Sequence, residues 1–205
     1  MKKPVPDYAE YVRLQKEDYC SYESQNKHWS KGQKRYIKKK FSRVDRDKKI
    51  LDIACGDGVG LKEFKKLGFE NVTGVEFNKQ KADLARETGY EVHELDMHNL
   101  TNLKSDSFDI VYSSHTLEHA YKPGKALQEL HRVLKKGGLL LVVLPYPDLS
   151  ETNVKAHVAK FELGTNKTDG GKSIVDYFQA GRFHLLKKEF DKYREPEIWL
   201  TLSKD

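Results

Sequence analysis

The stretch from Ile50 to Gly60 constrains the fold of this chain more than any other. It opens with Ile50–Ala54, a short apolar run that contains one acid and is typical of a buried parallel strand. Three glycines follow at every second position. Apolar residues then recur with helical spacing up to a glycine that would end the helix: Leu61, Phe64, Leu67 and Gly68. A strand, a glycine turn and a helix in this order predict a ligand-binding loop rather than a plain tight turn.

Two acids indicate which ligand such a loop would hold. Asp52 lies inside the strand and Asp57 lies between the glycines, giving the pattern Asp-x-x-x-Gly-x-Gly-x-Gly. A dinucleotide fingerprint reads Gly-x-Gly-x-x-Gly and seats a pyrophosphate at the helix N-terminus. Because two carboxylates repel a pyrophosphate and attract a cation, the pattern favours an amine-bearing ligand.

After the loop, strand and helix patterns alternate without a break. Strands are predicted at 71–77, 91–95, 107–113 and 139–144, and helices at 79–87 and 125–135. The run at 139–144 is the most apolar in the chain, which predicts a central strand after a Gly137-Gly138 turn. This alternation predicts a doubly wound, mostly parallel α/β sheet whose ligands bind at the carboxyl ends of the strands.

Three motifs give the chain a family resemblance. They are Leu-Asp-Ile-Ala-Cys-Gly-Asp-Gly-Val-Gly at 51–60, Ser-Ser-His-Thr-Leu-Glu-His at 113–119 and Val-Leu-Lys-Lys-Gly-Gly at 133–138. Together they resemble the class I S-adenosylmethionine-dependent methyltransferases, and most closely the small type 11 family. The likeness covers about residues 49–145. It implies a Rossmann-like fold, S-adenosyl-L-methionine as the cofactor, and an antiparallel hairpin at 183–193 and 197–203 after a helix at 173–180.

The resemblance also implies which residues bind the methyl donor. The predicted donor-binding residues are Asp52, Ala54, Cys55, Gly56, Asp57, Gly58, Glu76, Phe77, Asp96, Met97 and Ser113. Glu76 would bind the ribose hydroxyls, a role that also occurs in NAD-binding folds. Asp96 would meet the adenine amino group, and Phe77 and Met97 either cover the ring faces or simply pack in the core. A side chain added at Gly58 is expected to lie where the ligand must sit.

His115 is the candidate catalytic residue. It follows the fourth predicted strand, where this fold brings donor and acceptor together, and a histidine of ordinary pKa suits a general base. The alternative is that His115 only shapes the donor pocket. His119 lies one helical turn further on and is expected to pack or cap. Two histidines without a third ligand at suitable spacing do not predict a metal site.

Composition suggests one domain in a reducing compartment. The chain has 205 residues and no apolar run of about eighteen, which predicts no membrane span. The N-terminus lacks the apolar stretch of a secretory signal, and Cys20 and Cys55 form no disulfide framework, so a cytoplasmic location is expected. Residues 148–171 are predicted to be a loop-rich insertion over the active-site edge. The sequence does not indicate an oligomeric state.

The positive charge is concentrated in an N-terminal arm, residues 1–48, that precedes the domain predicted at 49–205. Residues 1–49 hold 15 Lys+Arg and 7 Asp+Glu, whereas the whole chain carries only +6. Apolar residues recur in the arm at helical spacing: Trp29, Tyr36, Ile37, Phe41 and Val44. The lysines around them, among them Lys34, Lys38, Lys39 and Lys40, form either a solvated face or a nucleic-acid contact. Four further tyrosines precede this helix without clear periodicity: Tyr8, Tyr11, Tyr19 and Tyr22.

The sequence therefore predicts a methyltransferase that acts on an oxygen or nitrogen of a small molecule, sugar or lipid headgroup. The Asn/Asp-Pro-Pro-Tyr tetrad of base-amino DNA methyltransferases is missing after the fourth strand, and neither cysteine follows a proline as in pyrimidine-carbon enzymes. Three alternatives stay open. They are an RNA or other nucleic-acid methyltransferase that docks through the arm, an NAD-dependent oxidoreductase, and a donor-binding module without enzymatic activity.

Overall fold

The computed structural model describes residues 7–18, 27–149, 157–193 and 195–205. Their strands form one seven-stranded sheet in the order β3-β2-β1-β4-β5-β7-β6. The first five strands are parallel, whereas β7 runs antiparallel to β5 and β6 antiparallel to β7. This sheet confirms the predicted doubly wound fold with its antiparallel C-terminal hairpin.

The strands correspond closely to the apolar runs of the sequence. They are β1 (Ile50–Ile53), β2 (Val72–Glu76), β3 (Glu91–Glu94), β4 (Phe108–Ser114), β5 (Leu134–Pro145), β6 (Phe183–Asp191) and β7 (Glu197–Lys204). Every residue of β1 is buried, as expected for a strand with a parallel neighbour on each side and helices on both faces.

The helices lie between these strands. They are α1 (Tyr8–Arg13), α2 (Lys27–Phe41), α3 (Val59–Lys66), α4 (Lys79–Arg86), α5 (Pro123–Val133), α6 (Lys160–Leu163) and α7 (Lys172–Ala180). A π-helical turn, Leu14–Asp18, extends α1, and a 3₁₀ turn, Leu117–His119, follows β4. None of the helices in the described part of the chain has the length and hydrophobicity of a transmembrane span.

The start of β5 differs from the prediction. The strand begins at Leu134 rather than after a Gly137-Gly138 turn. Phe108 pairs with Leu134 but Ile110 pairs with Leu139, so β5 has extra residues that bulge out of the ladder. Gly137 has a φ of 69°, which a residue with a side chain rarely adopts. Because lysines and glycines fill this stretch, the apolar pattern alone predicts that β5 begins several residues too late in the sequence.

Two layers of apolar side chains cover the two faces of the sheet. Along β5, Leu140 and Val142 join the layer beneath α5 and α7, while Leu141 and Val143 join the layer beneath α2, α3 and α4. This alternation follows from the two-residue period of a strand. All four side chains are nearly inaccessible to solvent, so β5 lies inside the core, as predicted.

Helix α2 belongs to the second layer. Tyr36, Ile37 and Phe41 are at most 1% exposed, which agrees with the amphipathic helix predicted from the arm. The Phe41 ring meets the rings of Phe64 and Tyr112 edge-on, with centroids 4.8 and 5.9 Å apart. The side chain of Trp29 and the residues Tyr19, Cys20 and Tyr22 lie outside the part of the chain that the structure describes. The division into arm and domain stays a prediction.

Replacing Phe41 by alanine tests whether α2 is part of the folding unit. The change removes a fully buried ring and leaves a cavity, so we expect the free energy of unfolding to fall by about 3–5 kcal/mol in urea denaturation. Lys34→Ala on the same helix is the control and should change stability by no more than about 0.5 kcal/mol. Equal stability of both variants would mean that α2 unfolds separately from the sheet.

Candidate functional site

The predicted site residues meet at the carboxyl edge of the parallel strands. Ile53 pairs with Val75 on one side and with Ser113 on the other, so β1, β2 and β4 end at one level. The glycine loop follows β1, Glu76 ends β2, and His115 follows β4. This edge is where ligands bind in doubly wound sheets.

The glycine loop depends on left-handed backbone. Ala54, Gly56 and Gly58 have φ values of 53°, 57° and 82°. Gly58 caps α3, and a Cβ placed there would come within 3.1 Å of the Ala85 Cα and the Thr88 Cγ2. A Gly58 side chain would therefore first meet α4 and the turn after it, and its clash with the ligand stays a prediction. At Gly56, by contrast, a Cβ meets nothing within 4 Å.

Glu76 holds this loop in place. Its Oε2 accepts a hydrogen bond from Gly56 N at 2.9 Å, and its Oε1 accepts one from Asn78 N at 2.8 Å. The side chain is 7% exposed. A carboxylate offers about four lone pairs, so it can accept several hydrogen bonds at once, as the predicted role toward ribose hydroxyls requires.

Asp52 is a buried acid with unused acceptor capacity. It is 1% exposed, and its Oδ2 has no hydrogen-bond partner among the described residues. Burial raises its pKa well above the usual range, and the negative charge of Glu76 raises it further. A Cβ on Gly60 would lie 2.6 Å from Oδ2, so the third glycine of the motif makes room for the carboxylate. This unpartnered acid fits a ligand with an ammonium group.

The remaining predicted residues of the loop and of β4 differ in their burial and in their hydrogen bonds. Cys55 is buried, and a Cβ on Gly74 would lie 2.8 Å from its Sγ, so its side chain packs in the core. Asp57 is half-buried between the glycines. Ser113 is fully buried, and its Oγ has no hydrogen-bond partner among the described residues.

Asp96 has partners that the sequence did not predict. Its Oδ2 accepts a hydrogen bond from the Tyr8 hydroxyl at 2.7 Å, and its Oδ1 accepts one from His98 N at 2.9 Å. Burial raises the pKa of Asp96, but its bonds to His98 and Tyr8 outweigh burial and lower it. The sequence left Tyr8 and Tyr11 unplaced because the partners of α1 are about ninety residues away.

Phe77 and Met97 have different surroundings. Lys16 Nζ lies 4.5 Å from the centroid of the Phe77 ring. The carbonyl of Lys16 also accepts a hydrogen bond from Asn78 Nδ2 at 2.6 Å. Met97 is half-buried and packs against the core layer beneath α5. Segment 7–18 therefore lies against Phe77, Asn78 and Asp96.

His115 lies between two carboxylates. Its Nε2 is 2.9 Å from Glu197 Oε1, and its Nδ1 is 3.5 Å from Glu118 Oε1. Burial disfavours its charged form, but the two carboxylates outweigh burial and raise its pKa to about 9. The sequence did not indicate that either acid is a partner of His115. Glu197 is 82 residues away, and Glu118 stood out only as part of the family motif. The geometry indicates a charged imidazole that joins β4 to β7.

Comparison with protein families identifies the fold. Residues 51–142 match the family model described as a methyltransferase domain, of type 11. The chain carries an S-adenosylmethionine-dependent methyltransferase domain. The match confirms the resemblance drawn from the three motifs, and with it the donor class, at the level of the family.

Curated relatives include methyltransferases of different kinds. The domain is 33% identical over 97 residues, or 44% of this chain, to a ubiquinone biosynthesis O-methyltransferase of Nitrosococcus oceani. It is 30% identical over 156 residues, or 69% of this chain, to the sterol 24-C-methyltransferase erg6 of Aspergillus fumigatus. Each alignment covers 41% of the relative, so the chain spans about two fifths of the length of these proteins.

A solved structure agrees with the methyltransferase fold over the whole chain. The Burkholderia thailandensis 1,6-didemethyltoxoflavin-N1-methyltransferase, with 1,6-didemethyltoxoflavin and S-adenosylhomocysteine bound, superposes with a TM-score of 0.70. The alignment covers 100% of this chain and 94% of that chain at 15% sequence identity. At this identity the likeness speaks for the fold alone.

Donor binding tests the roles of Asp52 and Glu76. Asp52→Asn and Glu76→Gln each remove a buried carboxyl group next to the glycine loop, so we expect at least a tenfold weaker affinity for S-adenosylmethionine in calorimetry, about 1.4 kcal/mol. Glu94→Gln, an exposed acid paired with Glu76 across the β2–β3 ladder, is the matched control and should bind like wild type. Unchanged affinity in both loop variants would exclude this loop as the donor site.

Proposed function

We propose that the domain transfers a methyl group from S-adenosylmethionine to an oxygen or nitrogen of a small molecule, sugar or lipid headgroup. The observation that supports this best is the pairing of a buried, unpartnered acid, Asp52, with a glycine loop held by Glu76. This pair lies at the carboxyl edge of the sheet, where the acceptor could approach from solvent.

Each predicted site residue would bind a different part of the donor. Asp52 would attract its ammonium group, Glu76 would accept hydrogen bonds from the ribose hydroxyls, and Asp96 would accept one from the adenine amino group. Phe77 and Met97 would flank the base. The sulfonium group of the donor supplies an already activated methyl group. The protein therefore contributes mainly by holding the acceptor atom in line with that group.

The acceptor is the least constrained part of the proposal. The relatives are named as O- and C-methyltransferases of ubiquinone and sterol metabolism, and the Burkholderia enzyme as an N-methyltransferase. These names favour a small acceptor for this chain as well, but not one atom type. Screening metabolite extracts for label transferred from the donor would identify the acceptor. If the donor binds normally but no label is transferred, a non-enzymatic module is favoured. Tight binding of NAD in place of S-adenosylmethionine would favour an oxidoreductase.

A base role for His115 stays a hypothesis. A carboxylate lies near each ring nitrogen, at 2.9 and 3.5 Å, and such an ion-paired imidazole donates hydrogen bonds more readily than it accepts a proton. The contacts therefore favour a positioning role, in which His115 fixes Glu118 and Glu197 at the acceptor side of the edge.

His115→Ala separates the two roles. If His115 is the base, we expect turnover to fall by about a hundredfold or more while donor affinity stays unchanged. If it is a positioning residue, Glu197→Gln should reproduce most of the loss. His131→Ala is the control, because His131 pairs with Asp205, which follows β7 at the opposite edge of the sheet. Wild-type turnover in His115→Ala would contradict both roles.

A second candidate function involves a polyanion bound by α2. A shallow groove of about 540 Å³ is lined by Lys31, Lys34, Arg35, Lys38, Lys39 and Tyr193. Arg35 is held by Asp191 through bonds of 2.7 and 2.8 Å and lies 4.8 Å from the centroid of the Tyr193 ring. Cations beside an aromatic ring suit the phosphates and bases of a single-stranded nucleic acid.

The ion pairs of α2 reduce the number of lysines that a polyanion could contact. Lys40 is 12% exposed at its side chain, pairs with Glu189 and does not line the groove, so it is no longer among the proposed polyanion contacts. Lys38 and Lys39 also have acidic partners, Glu63 and Glu189. Lys31 and Lys34 form no ion pair with a described residue. The groove is therefore partly neutralised, which favours the small-molecule acceptor over the polyanion.

Salt dependence tests the polyanion candidate. If the groove binds single-stranded RNA, affinity should fall with salt by about one log–log unit per phosphate contact. Replacing Lys31, Lys34, Lys38 and Lys39 together by glutamine should flatten that slope. Replacing Lys79 and Lys172, exposed lysines on α4 and α7, should leave it unchanged. If the affinity does not vary with salt, these lysines form only a solvated surface.

A further inference from the structure

Three potential metal ligands converge beside the methyltransferase edge. Glu118 and His119 belong to the 3₁₀ turn after β4, and His157 comes from the insertion that precedes α6. One ligand atom of each lies within 4.8 Å of the other two. Among the described residues, no other group of histidines, cysteines and acids meets this spacing.

Glu118 is the most informative member of this group. It is fully buried, and neither of its carboxylate oxygens has a hydrogen-bond partner among the described residues. A buried carboxylate without hydrogen bonds is costly unless cations surround it. His115 Nδ1, at 3.5 Å, approaches only Oε1. Coordination to an ion would satisfy the carboxylate.

His157 is arranged as histidine ligands of metals usually are. Its Nδ1 lies 2.6 Å from Asp148 Oδ2, which leaves Nε2 for an ion. Asp148 is itself buried, and Lys160 Nζ lies 3.5 Å from its Oδ1. Such a carboxylate fixes the tautomer and orientation of the ring and makes the other nitrogen a better ligand.

Backbone hydrogen bonds and ring packing hold the two segments together. Ala159 N donates to the Glu118 carbonyl at 3.0 Å, which fixes the insertion to the 3₁₀ turn. The rings of His119 and His157 pack edge to face, with centroids 4.7 Å apart. The three side chains are therefore brought together by more than chance proximity on a surface.

We propose that Glu118, His119 and His157 bind one divalent transition-metal ion. Two imidazoles and one carboxylate are the ligand set of catalytic zinc sites and of several other first-row ions, and three protein ligands leave coordination positions open. Bonds of about 2.0–2.2 Å require the ligand atoms to lie roughly 3.5 Å apart, so binding would draw the side chains slightly inward.

The location suggests what an open position would hold. The turn begins two residues after His115, at the end of the strand that borders β1 on the acceptor side. An oxygen of the acceptor could complete the coordination, and the ion would then lower the pKa of an acceptor hydroxyl. This second step rests on the proposed methyl transfer, whereas the ion site itself does not.

Metal binding by the chelator-treated full chain tests the site. Calorimetric titration with Zn²⁺ and Mn²⁺, and the visible absorption of bound Co²⁺, should show one ion per chain for at least one of these metals. Glu118→Gln and His157→Ala should each weaken that binding at least tenfold. Asp148→Asn should weaken it by about 10- to 100-fold without removing a ligand.

Matched controls make the result decisive. His184→Ala removes an exposed histidine on β6 and should bind the metal like wild type. If Glu118→Gln does not fold, His157→Ala in the insertion provides the same comparison. No stoichiometric binding by wild type, or equal binding by wild type and both ligand variants, would overturn the proposal. Metal binding without metal-dependent methyl transfer would overturn only the acceptor step.

Discussion

The carboxyl edge of this sheet depends on the side chain of Glu76. Its two oxygens accept hydrogen bonds from Gly56 N and Asn78 N, so a single carboxylate joins the loop after β1 to the residue just before α4. Asn78 in turn caps α4 by accepting a hydrogen bond from Lys81 N. Because α4 packs within about 3 Å of where a Gly58 side chain would begin, the loop and the helix fix each other's position.

The N-terminal segment completes the same edge from the other side. The hydroxyl of Tyr8 donates to Asp96, the carbonyl of Lys16 accepts from Asn78, and the ammonium group of Lys16 lies over Phe77. Of these residues, Asp96 and Phe77 are proposed to bind the adenosine part of the donor. On that proposal a donor would either share Asp96 with Tyr8 or displace it, and segment 7–18 would form one wall of the site.

The sequence predicted the local features of this fold better than its long-range contacts. Buried strands could be located because apolar runs between glycines have few other interpretations. The acids in and beside the glycine loop indicated the kind of ligand. The early start of β5 was hidden by Lys135 and Lys136. The partner of His115 was unpredictable because Glu197 lies 82 residues away in the sequence. Asp148 is only nine residues from His157, but the sequence between them has no periodicity that would place the two side chains together. The direction of a Gly58 side chain depends likewise on where α4 packs.

Two buried carboxylates, one in β1 and one just after the neighbouring strand β4, have different surroundings. Asp52 has Glu76 as a like-charged neighbour and an oxygen without a hydrogen bond, so its ionised form needs a cation from outside the chain. Glu118 is equally buried, but the nearby imidazoles of His115, His119 and His157 outweigh burial and lower its pKa. Since an uncompensated buried charge costs several kcal/mol, a cationic donor is favoured at the β1 end. Glu118 has imidazoles of the chain itself as neighbours, so the same argument does not call for an ammonium group from outside at the end of β4.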